Sequence, residues 1–202
     1  MVDPDDRPGA RGEPAADPAG PVDPVEVALV ARARTGDGEA FGALVTRHQQ
    51  AALRTAFAIG GSESEADDIT QEAFVKAFRA LPRFQEGRPL RPWLLRIVAN
   101  EARNRRRSRG RRERLAVRAA AVGGHQTGSP EELALSEVSA LALRSALARL
   151  DERDRTVIAL RYFAGLSEAE TAATLEVPAG TVKSRLSRAL DRLRDQLGEE
   201  AR

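Results

Sequence analysis

Apolar residues in this chain recur at three- and four-residue spacing. Val182, Leu186, Leu190, Leu193 and Leu197 fall on one side of a helix. Ile69, Ala73 and Ala77 form one apolar track and Phe74, Phe78 and Leu81 another, leaving Asp68, Gln71 and Glu72 on a shared polar face. No convincing strand-like alternation and no tandem repeat interrupts this pattern, so the economical expectation is an all-α fold.

Breakers divide the helical pattern into two small domains. Residues 1–24 hold six of the eleven prolines and five aspartates, too little apolar surface to offset chain ordering, and read as a disordered acidic tail. A first helical domain spans 25–112, with Gly60, Gly61 and Ser62 separating two helices and a loop from Pro82 to Pro92. Residues 113–134 read as a linker, because charged helix gives way to AAAVGGHQTG, whose glycines discourage a continuous helix. Ser129, Pro130 and Glu132 look like an N-cap, a first-turn proline and a capping-box glutamate ahead of a second helical domain at 135–199. About 20 flexible residues have a root-mean-square span of ~25 Å and an extended reach of ~70 Å, enough for two separated sites.

Charge alters the picture locally, since charged residues make up 31% of the chain but the net charge is only +2. Seven arginines and no acid lie within 103–112, and Arg96, Asn100, Arg103, Asn104, Arg107 and Arg111 share a helical face. Such a stripe suits phosphates; a helix dipole would account for two or three arginines but not seven. The absence of cysteine excludes disulfides, thiolate metal sites and a cysteine nucleophile, and suits a reducing cytosol. No stretch approaches the ~18 apolar residues of a membrane span, so the expectation is a cytoplasmic protein without membrane insertion. Neither His48 nor His125 has a ligand cluster, and no GxxxxGK[ST] motif is present; the chain reads as a non-enzyme with no cofactor and no metal.

The segment LSEAETAATLEVPAGTVKSRLSRALDRLRDQL, residues 166–197, places two helical patterns on either side of a turn at Glu176–Gly180. Ser167 and Glu170 suit a capping box, and Ala172 and Leu175 an inward face. The second helix leaves Lys183, Ser184, Arg185, Ser187 and Arg188 largely exposed near its start. These are the parts of a helix-turn-helix, whose second helix enters the DNA major groove. A solvated basic face on an ordinary helical hairpin is the competing reading of the pattern alone.

GLSEAETAATLEVPAGTVKSRLSRAL resembles the promoter-reading fourth region of bacterial extracytoplasmic-function sigma factors, and LDERDRTVIALRYF the helix before it. Thr171 stands where that pattern commonly has an aliphatic, and Glu176 where its turn often has glycine. EADDITQEAFVKAFRAL resembles the family's helix that docks on the clamp helices of the largest RNA polymerase subunit. LPRFQEGRPLRPWLLRIVANEARNRRRSRGRR resembles its minus-ten reading and melting region, in which Trp93 reads as core among Leu94, Ile97 and Val98.

The resemblance implies an alternative sigma factor that binds core polymerase and directs it to promoters. Asp68, Gln71 and Glu72 would contact polymerase, and Lys183, Ser184, Arg185, Ser187 and Arg188 the minus-thirty-five element. Phe84, Arg88, Arg96, Asn100, Arg103, Asn104 and Arg107 would contact the minus-ten element, where the loop at Phe84–Arg88 captures a flipped base. Further implied partners are the flap of the second-largest subunit and an anti-sigma factor, with nucleoid association in the holoenzyme. The runner-up is a helix-turn-helix regulator that acts on duplex DNA without polymerase.

Overall fold

The structure, a computed structural model, describes residues 23–119 and 135–200. Nearly all of the expected acidic tail, most of the expected linker and the capping sequence at Ser129 lie outside the described residues. Among those described, every regular element is helical. Helices α1 (Pro24–Arg34), α2 (Gly38–Gly60), α3 (Glu63–Ala80) and α4 (Leu90–Ala119) form the first half. The second half comprises α5 (Leu135–Arg149), α6 (Glu152–Ile158), α7 (Glu168–Leu175) and α8 (Ala179–Glu200). A 3-10 turn at Leu81–Arg83 follows α3, and a π turn at Ala159–Phe163 follows α6.

Local chemistry sets most helix starts. Asp23, Asp37, Ser62 and Asp151 each accept a backbone N–H in the first turn of α1, α2, α3 and α6, satisfying donors that have no partner within the helix. At the Gly60–Gly61–Ser62 break, Gly61 takes a left-handed φ of 92° and Ser62 caps α3. A Cβ on Gly60 would stand 3.1 Å from Cδ1 of Ile69, so the glycine also lets α2 and α3 approach closely.

Two expected boundaries differ. The loop between Pro82 and Pro92 is shorter, because the 3-10 turn holds Pro82 and α4 already starts at Leu90. Pro92 sits in the first turn of α4, where its missing N–H forfeits no intrahelical bond. Helix α4 also runs through Glu113 to Ala119, into the segment read as linker; no glycine or proline stands between Arg111 and Ala119 to stop it.

Packing follows the apolar tracks. Ile69, Ala73 and Ala77 bury against Ala52, Ala56, Ile59, Val98 and Ala102, and a fully buried Ile or Leu contributes roughly 1.5–3 kcal/mol. Phe74 and Leu81 are buried, whereas Phe78 stays 42% exposed with its ring edge-on to Phe41 at 4.9 Å. Trp93 packs against the core as expected. In the second half Val182, Leu186 and Leu193 bury against Ala146, Leu147, Leu150, Val157 and Ile158.

A further cluster joins the halves: Ala51 and Leu95 meet Leu160, Ala164 and Leu166. Beside it the buried Arg155 donates from Nε to the Leu147 carbonyl at 2.7 Å, from Nη2 to that of Ala148 at 3.1 Å and to that of Leu150, and from Nη1 across the seam to that of Ile59 at 3.3 Å. One guanidinium thus meets the carbonyl-rich ends of α5 and α2. Burial, then the Arg106 charge nearby, pushes its pKa down to about 10.

Candidate nucleic-acid interface

Ser167 and Glu170 close the expected capping box, with Ser167 Oγ accepting the Glu170 N–H at 3.1 Å and a Glu170 carboxylate oxygen accepting the Ser167 N–H at 2.7 Å. Helix α7 then stops at Glu176, the one non-glycine residue with positive φ, at 54°, among those described. The expected turn is therefore present, and it holds glutamate in a left-handed conformation that disfavours side chains. The Val177 N–H closes the turn onto the Ala172 carbonyl at 3.1 Å.

Burying Val182 and Leu186 orients the start of α8. Lys183, Ser184, Ser187 and Arg188 are exposed and Arg185 is half-buried, so the five candidates form one outward row. Ser184 Oγ donates to the Thr181 carbonyl at 3.2 Å, and Arg188 Nε to the Ser184 carbonyl at 3.1 Å. These bonds hold Arg188 along the helix while its terminal nitrogens make no hydrogen bond or ion pair among the described residues. One turn later, Arg192 pairs with Asp154 of α6 and is tied to the scaffold.

The basic stripe on α4 has a different environment. Arg96 pairs with Glu176 at 2.7 Å, and Arg107 grips Glu152 with two N–H groups, Nε donating at 2.8 Å. The Glu152 carboxylate raises the Arg107 pKa. Burial lowers that of Arg103, whose guanidinium donates to Asn100; Asn100 and Asn104 are exposed.

Arg88 and Arg96 line a cleft of about 540 Å³ together with Arg83 and Trp93. Phe84 forms part of its wall but is only 5% exposed, its ring 4.9 Å from Trp93 and packed beside Leu81 and Leu90. The side chain packs into the core from this wall and so fixes the shape of the loop. Of its apolar neighbours, Leu90 and Trp93 belong to the first turn of α4 and Leu81 to the 3-10 turn.

Asp68 and Gln71 are exposed and Glu72 half-buried on α3, with Glu72 3.7 Å from Lys76. Val75 and Phe78 continue this surface as exposed apolar residues. No group of His, Cys, Asp and Glu among the described residues could hold a metal ion. None of the described helices is long and apolar enough to cross a membrane.

Sequence reasoning missed Arg54, Arg91, Arg155 and Thr174, which donate across the seam to the carbonyls of Phe163, Ala164, Ile59 and Pro92. Arg155 carried a signal, because it falls one turn before Ile158 and Ala159 on a face that must be apolar. The others look like ordinary surface residues until the second half is in place.

Residues 44–112 match the Sigma-70 region 2 family, and residues 140–193 match Sigma-70, region 4. RNA polymerase sigma factor NccH of Alcaligenes xylosoxydans xylosoxydans is 38% identical over 84% of this chain and 92% of that protein. The ECF RNA polymerase sigma-E factor of Escherichia coli K12 is 37% identical over 80% of this chain and 88% of its own. Among solved structures, CnrH in complex with the cytosolic domain of CnrY superposes with a TM-score of 0.68 at 31% identity, over 87% of this chain and 98% of that one. The sigma factor RpoE in complex with the anti-sigma factor NepR from Bartonella quintana gives 0.61 at 27% identity, over 78% and 96%. With both regions in order along a helical chain, this protein belongs to the extracytoplasmic-function sigma factors and is an alternative sigma factor that directs RNA polymerase in transcription initiation.

Proposed function

We propose that the two halves divide promoter reading between them. Lys183, Ser184, Arg185, Ser187 and Arg188 face the minus-thirty-five element, with arginine suited to the two acceptors of guanine and lysine to phosphate. Arg88, Arg96, Asn100, Arg103, Asn104 and Arg107 face the minus-ten element, and the cleft at Arg88 and Arg96 takes an unstacked base. Binding to exposed base faces and edges offsets the few kcal/mol that unstacking costs, so strand opening needs no nucleotide hydrolysis by this chain.

The observation that carries this reading is the outward Lys–Ser–Arg row at the start of α8 in the same chain as an arginine-lined cleft beside α4. Asp68, Gln71 and Glu72 form the proposed docking face for the clamp helices of the largest polymerase subunit, while the second half reaches the flap of the second-largest. An anti-sigma factor is a further proposed partner, because the relative RpoE is held by one. The protein acts in the cytoplasm, at the nucleoid once in holoenzyme. Run-off transcription with purified core polymerase on a genomic promoter library tests the reading. Promoter-dependent transcripts should require the added chain; their absence with a folded chain would overturn it.

A further inference from the structure

The loop between the 3-10 turn and α4 separates two hollows. Phe84, Gly87 and Arg88 line both the cleft of about 540 Å³ and, on the far side of the loop, a cavity of about 80 Å³ whose other wall is Val27, Val30 and Ala31 of α1. Within the loop the Arg88 N–H reaches the Gln85 carbonyl at 3.4 Å, a long bond, and Gly87 takes a left-handed φ of 76°. A loop so lightly tied to itself takes its shape from what stands behind it. Helix α1 stands there, and it precedes the stretch that matches Sigma-70 region 2. We propose that α1 is a brace: through Arg34 on Glu86 and Glu26 at the start of α4 it holds the loop in the shape that selects the base in the cleft, and so sets minus-ten specificity without touching DNA.

The brace is pinned on one side and grips on the other. Asp23 caps α1 and pairs with Arg47 of α2, and the buried Glu26 carboxylate lies 2.8 Å from His48 Nε2 and 3.5 Å from Arg47 Nε, so α1 is fixed to a core helix. Toward the loop, Arg34 pairs with Glu86, and its Nη2 donates to the Pro82 carbonyl at 3.5 Å. Val30 and Ala33 are buried with Leu81, Phe84 and Leu90. The residue before α4 is Pro89, which has no side-chain acceptor to cap the helix. The Leu90 N–H instead meets the Glu26 carboxylate, whose pKa it helps the His48 bond to lower. Glu86 is 72% exposed, and ion pairs at such exposure contribute little to stability. What Arg34 supplies is the position of the loop, and a binding site discriminates only where its walls are held to within about 0.5 Å.

The inference rests on the proposal that the cleft takes an unstacked base, and the test separates the two. The full-length chain with purified core polymerase transcribes two libraries built on a promoter that this holoenzyme uses, one randomised across the minus-ten element and one across the minus-thirty-five element. Sequenced transcripts give the base preference at each position. Arg34→Glu, which sets two carboxylates against each other, should flatten the preference at a minus-ten position severalfold and leave the upstream preferences unchanged. Glu86→Arg should do likewise, and the two together, which exchange the ends of the ion pair, should restore the preference. Trp93 is the single tryptophan and lies beside Phe84, so its emission in the free chain reads the loop without DNA. That emission should shift in each single variant and return in the double.

Minus-ten discrimination that survives Arg34→Glu would overturn the brace. So would equal flattening at both elements, or a double variant as flat as the singles. Should Arg34→Glu fail to fold by circular dichroism, Arg34→Gln decides, since it removes the pair without adding repulsion: the preference should again flatten, and a wild-type preference rejects the inference. A wild type with no preference at any minus-ten position would sink the base-capture reading, and the specificity role with it, whereas Trp93 emission still reports whether α1 sets the loop.

Discussion

Thr171 is fully buried on α7, and its Oγ1 has no hydrogen-bond partner among the described residues. A hydroxyl removed from water without compensation costs about 1–3 kcal/mol on mutational scales, and valine nearly reproduces the shape. Thr171→Val should raise the unfolding free energy by about 1 kcal/mol, read as a higher urea midpoint at unchanged slope; a lower midpoint would reveal a bond that the hydroxyl makes. Glu26 is a second buried polar residue, its carboxylate 2.8 Å from His48 Nε2. The bond from His48, opposed by burial, holds the carboxyl below its ordinary value of 4.5. The folded state therefore binds that proton less readily than the unfolded one, and the stabilisation is complete above the ordinary value and lost as pH falls through the folded one. The stability gap between wild type and Glu26→Gln should narrow between pH ~6 and ~3. Urea titrations at stepped pH measure it, and a constant gap would show that the bond contributes nothing to acid sensitivity.

Helices α3, α4 and α8 present three surfaces whose substitutions separate by what they change. On α8, Arg188→Ala should cost about 1–3 kcal/mol on a cognate upstream element and flatten discrimination there, as expected for a lost base contact. On α4, replacing exposed Arg111 and Arg112 by glutamine should weaken holoenzyme binding evenly across sequences and lower its salt dependence, because fewer counterions are released. Holoenzyme binding across a salt series on cognate and scrambled elements reads both; uniform weakening by Arg188→Ala would make that residue a phosphate contact. On α3, Asp68→Lys with Glu72→Lys should reduce co-purification with core polymerase while circular dichroism stays unchanged, since exposed substitutions usually perturb stability little. Full co-purification would remove this face from the docking surface. These elements were legible because their signals are local. Gly60, Gly61 and Ser62, the Ser167–Glu170 box and the leucine track of α8 all act within a few residues. The start of α4 at Leu90 was less legible, because a proline read as a loop residue is also at home in a first turn, and the core contacts of the loop residue Phe84 depend on Leu90 and Trp93 in that turn.

The seam between the halves could not be read from the chain, because Arg107 and Glu152 or Arg155 and Ile59 are remote in sequence and each has an adequate local explanation as a surface charge or a helix residue. Leu95, Leu160 and Leu166 likewise look like ordinary core of their own halves. Arg155 tests how far the seam makes one cooperative body. Its guanidinium serves four carbonyls on two halves, and Arg155→Met should cost about 3 kcal/mol or more. Calorimetry should show one transition in the wild type and two in the variant; one transition in both would mean that the apolar centre alone couples the halves. The pairing of Arg96 and Arg107 with Glu176 and Glu152 has a consequence for mass action in the cell. A genome presents ~10⁶–10⁹ nonspecific sites, and an uncovered arginine stripe would spread the chain thinly over them. Each cation answered inside the molecule loosens that nonspecific hold, because it leaves fewer counterions to be released on binding; Arg96 and Arg107 are answered in this way, while Arg111 and Arg112 stay exposed.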